Sequence, residues 1–427
     1  MKYLSHKLPQ KSVKKDYILN MLGSIINSCV SVILLVLVSR LTPPNSTLPG
    51  ALSLAYTTAQ MMYTIGVFEM RNIQATDAKN EFGFANILMF RIITIFGMFV
   101  FAVFFVLFKG FTGTKAVLIL LLTAYMAFQS LSDVFQGVLQ KNGYLFLSGM
   151  SVGGIGLFAL LSFSVTFFLT RNLIISVIPM TVFAAVWIFF FDIPFAVNLI
   201  KIKFEFNLNK LVTIFMAALP LFLASFLQQY IFNSQKYAIE DCIADVNTRD
   251  IVQATYGYLV MPTFFINLLS IFVFRPQLVT LSENWIKGQY KKFIKIVSLL
   301  YGCIAIAMIL ALGCAYILGI PVLEFLYNAD LSNKRGCLLI LLVAGTFSAA
   351  CSLTSVMLTV IRKQKFGLIS YIVAFLLSFF LPKILFQKYG LFGACVSYTI
   401  EMFVLFTVLF AIFIYFIFSK TKSRCHK

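Results

Sequence analysis

Long apolar runs separated by short polar stretches recur from one end of the 427-residue chain to the other. Each is long enough to cross about 30 Å of hydrocarbon as a helix. The pattern predicts twelve such helices, near residues 18–39, 48–69, 85–108, 115–138, 145–169, 172–200, 211–233, 250–273, 293–319, 336–360, 367–386 and 391–418. A backbone in lipid must satisfy its own hydrogen bonds, so these runs are read as helices rather than open strands. The connections between them are shorter than about twenty residues, which leaves no room for a globular catalytic domain.

Within several runs, polar residues return at helical spacing. QSLSDVFQGVLQKNGY (129–144) carries Gln129, Asp133, Gln136 and Gln140 at i, i+4, i+7 and i+11. At about 100° per residue, all four share one narrow face. The first predicted helix has Asn20, Ser24, Asn27 and Ser31, and the seventh has Ser225, Gln229, Asn233 and Lys236. The tenth has Ser348, Ser352, Ser355 and Thr359, with Arg362 just beyond. One such stripe alone is read as interhelical hydrogen bonding. Stripes on helices 1, 4, 7 and 10 together point to a central hydrophilic cavity.

The chain is also written twice. VLQKNGYLFLS (138–148), after the fourth run, aligns without a gap to VIRKQKFGLIS (360–370), after the tenth. Lys141 then meets Lys363, Ser148 meets Ser370, and Asp133 meets Ser355. Arg71 precedes Asn80 by nine residues, as Arg275 precedes Asn284. The expected architecture is an all-α polytopic membrane protein of two six-helix halves, 1–203 and 204–427. Because each half has an even number of helices, the repeats are parallel, with a site expected between them.

A mean hydropathy of +0.94 and 48 Phe exclude a soluble globular protein. The net charge of +19 raises the question of an anionic partner. With the N-terminus cytoplasmic, 24 of the 34 Lys and Arg fall on the inner side and 10 on the outer. That is the positive-inside asymmetry; it places both termini in the cytoplasm and accounts for most of the charge without nucleic acid. The basic start MKYLSHKLPQKSVKKD precedes a run too long for a signal-peptide core, with no A-x-A site after it, so it is read as leading a retained first helix. Eight scattered Cys form no C-x-x-C, and the only histidines, His6 and His426, lie in the tails, so no metal site, disulfide or His-dependent catalysis is expected. No phosphate-binding G-x-x-x-x-G-K-[ST] loop occurs.

Three acids fall inside the predicted spans, away from their terminal residues: Asp133, Asp192 and Glu401. Intramembrane carboxylates are costly and therefore informative. For Asp133, cavity lining and a salt bridge are evenly matched. Asp192, two residues before Pro194, is read as tying down a kink. Glu401 is either a protonatable coupling site or a buried neutral acid. Arg40 ends the first span and Lys236 the seventh, each as a headgroup contact or a side chain snorkelling to the interface.

These features resemble the polysaccharide-type flippases of the multidrug/oligosaccharidyl-lipid/polysaccharide exporter superfamily, over essentially the full chain. The resemblance rests on the basic start, VSRLTPPNSTLPGALSLAY (38–56), FNSQKYAIED (232–241), ATYGY (254–258) and the QKNGY loop. Where the family has an Asp-Arg pair after the seventh helix, this chain has Gln235-Lys236. The resemblance implies a bacterial plasma-membrane protein that moves an undecaprenyl-diphosphate-linked oligosaccharide outward, without a cofactor, and works beside polysaccharide polymerase and chain-length machinery. A sugar-diphosphate head cannot cross hydrocarbon unaided, so it needs a hydrated, hydrogen-bonding and cationic path. The stripe residues suit sugar hydroxyls. Arg71, Lys141, Arg275, Arg362 and Lys363 are the inner-mouth candidates for the diphosphate, and Arg40 and Lys236 the outer ones.

The nearest rival is a multidrug or cation antiporter of the same superfamily, which needs acids near its cation; only three lie in the bundle. A membrane polysaccharide polymerase would carry a large outer loop, and the largest expected here, 236–250, is small. The peptidoglycan-precursor branch has fourteen helices against the twelve counted. A major-facilitator transporter shares the 6+6 plan, but its G-x-x-x-D-R-x-G-R-R signature is missing.

Overall fold

A computed structural model describes residues 8–11, 13–76, 81–200 and 207–425. The first seven residues, Asn80, residues 201–206 of the interhalf linker, His426 and the side chain of Arg275 lie outside the described residues. The described residues are helical, with no strand among them. Twelve long helices follow one another: α1 (Val13–Leu41), α2 (Leu48–Val67), α3 (Gly83–Phe108), α4 (Gly113–Lys141), α5 (Leu145–Thr170), α6 (Leu173–Leu199), α7 (Leu208–Cys242), α8 (Val246–Ile286), α9 (Tyr290–Tyr327), α10 (Arg335–Val360), α11 (364–389) and α12 (391–425). A short helix, Met70–Thr76, sits between α2 and α3.

Each predicted span falls on one of these helices. Nine runs of described residues are long and apolar enough to cross a membrane, α11 and α12 counting as one. Gly390 separates those two at φ 57° and ψ −139°, a conformation that only glycine adopts without strain. In α6 and α9 a five-residue π turn, Ile188–Asp192 and Ala315–Gly319, comes just before Pro194 and Pro321. Proline removes a backbone donor and crowds the carbonyl four residues back, and the wider turn relieves both.

The stretch 236–250, expected as the largest outer loop, is mostly helix. α7 runs to Cys242, and α8 starts at Val246 behind Asp245, whose carboxylate accepts from the Thr248 amide at 2.8 Å. The bonds from Thr248 hold the Asp245 carboxyl below its ordinary value. Hydropathy read these residues as a connection because they are polar. Lys236, Ala238 and Glu240 are nonetheless good helix formers.

By internal packing the chain divides into two compact units, Met1–Phe226 and Leu227–Lys427, with the boundary inside α7. In the first unit, α1 and α5 meet backbone to backbone. A Cβ on Gly23 would fall 1.9 Å from the Gly149 carbonyl oxygen, and one on Gly153 would fall 2.8 Å from the Gly23 Cα. Small residues let membrane helices approach this closely, which converts missing side chains into van der Waals contact. The end of α2 is sharp. Phe68 and Glu69 both take left-handed φ values, 46° and 50°, and Phe68 stacks on Phe222 of α7 with ring centroids 4.1 Å apart. Leu211, Ile214 and Ala218, on the first half of α7, are buried in the same cluster.

In the second unit, α8 approaches α10 at Gly345, where a Cβ would meet Thr263 at 2.9 Å. Tyr258 stacks on Tyr327 at 4.2 Å, and the Thr399 hydroxyl donates to the Ile340 carbonyl at 3.1 Å.

Replacing Gly149 by Val wedges α1 from α5. The expected result is a clearly lower melting temperature in detergent, since overpacking costs about 1–3 kcal/mol even where the backbone is not touched. Gly97→Ala, at a helical position with nothing within 4 Å, should leave it unchanged or slightly raised.

Candidate functional site

The polar face of α4 is the centre of one hydrogen-bonded network in the first unit. Asp133 accepts from two guanidiniums. Arg91 of α3 donates from Nη2 to Oδ2 at 2.7 Å, and Arg71 of the short helix donates from Nη1 to Oδ1 at 3.2 Å. The side chain of Arg91 is fully buried, whereas that of Arg71 keeps 28% of its surface. Of the two readings of Asp133, the structure therefore shows the salt bridge, and its partners are doubled.

Arg71 is the hub. It donates from Nε to Gln140 Oε1 at 3.0 Å, from Nη1 to Gln136 Oε1 at 3.1 Å, and from Nη2 to Ser148 Oγ on α5 at 2.6 Å. These bonds and the one to Asp133 use four of its five N–H donors. The periodicity of the stripe placed Asp133, Gln136 and Gln140 on one face, and one guanidinium reads all three. Arg91 also caps α2, donating from Nη1 to the Gly66 carbonyl at 2.6 Å. That carbonyl belongs to the last turn before the break at Phe68, where helical partners run out.

On the other side, Gln136 donates from Nε2 to Ser132 Oγ at 2.8 Å and Ser151 Oγ at 3.1 Å. Both hydroxyls donate at 2.5 Å to Asp192, which closes the π turn of α6 and is fully buried. The expectation that Asp192 ties down a kink agrees with this. Near Arg71, Glu69 accepts from Ser225 Oγ at 2.6 Å and from Asn72 Nδ2 at 2.9 Å.

The other stripes are less connected. Asn27 Oδ1 accepts from Gln129 Nε2 at 3.3 Å, so the α1 and α4 stripes do face each other. Ser24 donates back to the Asn20 carbonyl at 2.7 Å, Asn233 to that of Gln229 at 2.8 Å, Ser352 to that of Ser348 at 3.1 Å, and Thr359 to that of Ser355 at 3.0 Å. Ser31 is half-buried, and Ser355 pairs with the Tyr371 hydroxyl at 3.3 Å.

Among the basic candidates, Arg40 is exposed at the end of α1, Lys141 is half-buried at the end of α4, and Lys236 is buried. Gln253 donates to the Lys236 carbonyl at 2.6 Å. Arg362 is exposed with φ 59°, and Lys363 lies over the Phe416 ring at 4.9 Å. In the second unit Glu401 is fully buried. Its Oε2 accepts from Gln235 Nε2 at 2.9 Å and Ser234 Oγ at 3.1 Å, while its Oε1, Gln235 Oε1 and the Tyr256 hydroxyl have no partner. Among the described residues no group of His, Cys, Asp or Glu is placed to hold a metal ion.

Arg91 was missed by sequence reasoning. It is the lone charge inside the run 85–108. A single charge in so apolar a run was itself the signal.

No family model matches the chain. It is 26% identical over 404 residues, 92% of this chain and 96% of the other, to the capsular polysaccharide biosynthesis protein CapF of Staphylococcus aureus. Its fold is similar to that of an inward-facing multidrug resistance MATE family transporter of the MOP superfamily, with TM-score 0.71, 15% identity and 97% of each chain covered. It is also similar to the lipid II flippase MurJ in an inward closed conformation, with TM-score 0.68, 15% identity and coverage of 92% of this chain and 87% of that one. A third structure, a MOP superfamily transporter from Pyrococcus furiosus, matches with TM-score 0.57 and 14% identity over 94% of this chain and 95% of that one. These comparisons bear out the resemblance drawn from the sequence, including the twelve-helix, two-repeat architecture.

Arg91→Met leaves Asp133 with one guanidinium and opens the cap of α2. The expected cost is at most about 3–5 kcal/mol, the range for stranding one partner of a buried ion pair, because Arg71 still pairs with Asp133. Arg91→Met combined with Asp133→Leu should recover most of that loss. Denaturation of the single and double variants measures the coupling. Additive losses would show that the pair carries no such energy.

Proposed function

We propose, for a multi-pass membrane chain with the fold of the multidrug/oligosaccharidyl-lipid/polysaccharide exporters, that it flips a polyprenyl-diphosphate-linked oligosaccharide outward by alternating access. The lipid carrier would be undecaprenyl, the membrane the bacterial plasma membrane, and the product a repeat unit for capsule or a related surface polymer. Similarity to a capsular polysaccharide biosynthesis protein supports that class. The excess of Lys and Arg on one side supports cytoplasmic termini. Polysaccharide polymerase and chain-length machinery are the expected downstream partners.

The observation that carries the reading is the exposure of Arg71. Asp133 is also paired with the buried Arg91, and the Arg71 guanidinium, whose side chain keeps 28% of its surface, stands at the open edge of the network. A guanidinium offers phosphate oxygens a planar fork of donors, and it stays charged when partly buried. Lys141 stands at the end of α4, whose polar face Arg71 reads, with Lys363 and Arg362 at the corresponding place in the second repeat. The amide and hydroxyl stripes of α1 and α4 supply bonds to sugar hydroxyls along the path.

Export of an anion from a negative interior is downhill by about 2.3 kcal/mol per charge per 100 mV. Two charges on a diphosphate would supply roughly 4–5 kcal/mol per 100 mV on that arithmetic. The membrane potential is then a sufficient driving force.

One observation favours a second reading. Glu401 keeps a buried carboxylate oxygen without a partner, beside two further unpaired polar atoms. Such an acid suits a proton or cation coupling site, as an antiporter requires.

The test is reconstitution in liposomes with a labelled polyprenyl-diphosphate oligosaccharide, following access of the head to an external glycosidase. Arg71→Gln should slow flipping about tenfold or more, the equivalent of one charge-assisted hydrogen bond at roughly 1.5–3 kcal/mol, and Arg71→Lys should lose less. No flipping, together with efflux of an organic cation, would give the second reading. In the same assay Glu401→Gln should leave flipping driven by an imposed potential unchanged; complete loss would show obligatory coupling through Glu401.

A further inference from the structure

The Arg71 network reaches α5 at Ser148, near the start of that helix. At the other end of α5, α5 and α1 enclose an apolar groove of about 610 Å³. Val36, Leu37 and Leu41 line one wall, and Val165, Phe168 and Leu169 the other. The same helices touch backbone to backbone at Gly23, Gly149 and Gly153, so the groove lies beyond the stretch where small residues close the interface.

Two guanidiniums mark the groove's far end. Arg40 lines it and is exposed. Arg171, the left-handed cap of α5, lies over the Phe168 ring at 5.4 Å and donates from Nη1 to the Leu41 carbonyl at 2.5 Å. Both partners of Arg171 are groove residues, which holds its charge at the mouth. No carboxylate lines the groove.

An apolar groove facing a bilayer is filled by hydrocarbon whatever the lipid, so the walls alone select nothing. Selection has to come from the head. Paired guanidiniums at the end of a span favour a phosphate carrying net negative charge, because each offers a fork of donors and neither has to leave the interface to reach it. We propose that this groove is a binding site for an anionic phospholipid. Its phosphate sits between Arg40 and Arg171, and one acyl chain lies between α1 and α5. The groove spans Ile33 to Leu41 on α1, about 13 Å at helical rise, which suits part of one acyl chain. The site is separate from the Arg71 network and does not depend on what the chain transports.

The test uses the full-length chain in vesicles of four parts phosphatidylcholine to one part phosphatidylglycerol. Spin-labelled versions of the two lipids report how much of each is immobilised on the protein. Phosphatidylglycerol should be retained in preference, falling roughly five-fold for each arginine removed in Arg40→Gln and Arg171→Gln. Val36→Trp, which fills the groove and keeps both arginines, should abolish the preference as well. Equal retention of the two lipids by the native chain would overturn the proposal. So would an unchanged preference in the double arginine variant, or in Val36→Trp, at an unaltered melting temperature. Retention of a labelled polyprenyl diphosphate that exceeds that of phosphatidylglycerol and is lost in Val36→Trp would overturn it too, by assigning the groove to that lipid. None of these readouts measures transport, so a failed flipping reading leaves them standing.

Discussion

A carboxylate inside a helical bundle has to be matched, and Asp133 is matched on both oxygens. Taking an ion out of water costs several kcal/mol even after relaxation, and attraction repays this only where the geometry is good and the remaining donors are satisfied. That condition organises the first unit. To reach Asp133, Arg91 must come from α3 and Arg71 from the short helix. To satisfy Arg71, Gln136, Gln140 and Ser148 must converge from α4 and α5. The second function of Arg91, closing the end of α2 at Gly66, fixes where the chain turns at Phe68. Asp192 and its two serines extend the network into α6. Five helices and one short turn of helix are thus held in register by the need to house one negative charge.

The spans were legible because lipid imposes a single rule on every helix, and apolar length reports it directly. Their polar extensions were not. Residues 236–242 continue α7 on helix propensity and tertiary packing, which hydropathy does not weigh. The α4 stripe was legible too, since a period near 3.6 survives in the order of residues. Its partners were not, because Arg91 and Asp133 are 42 positions apart and nothing local relates them. Arg91 looked like a charge near a helix start; only the packing of α3 against α4 shows it fully buried.

The repeat is one of topology more than of chemistry. Ser355, the counterpart of Asp133, pairs with a tyrosine hydroxyl rather than an ion. Ser148 receives a bond from Arg71, while its counterpart Ser370 is buried with no partner for its hydroxyl. The buried acids of the second unit stand elsewhere, at Glu240 on α7, Asp250 on α8 and Glu401 on α12. Two halves of one plan have been fitted out differently, the first with a carboxylate held by two guanidiniums and the second with a carboxyl held by an amide and a hydroxyl.

The glycine contact between α1 and α5 bears on how the chain is made. α1 leaves the ribosome before α5, and the surface that fits it, around Gly149 and Gly153, is synthesised more than a hundred residues later. At roughly 5–20 residues per second, that is a wait on the order of ten seconds. For that time Asn20 and Asn27 stand in the insertion machinery or the bilayer without the α5 backbone beside them or the Gln129 amide that later binds Asn27. α1 is therefore a segment that insertion must hold in place before folding can claim it.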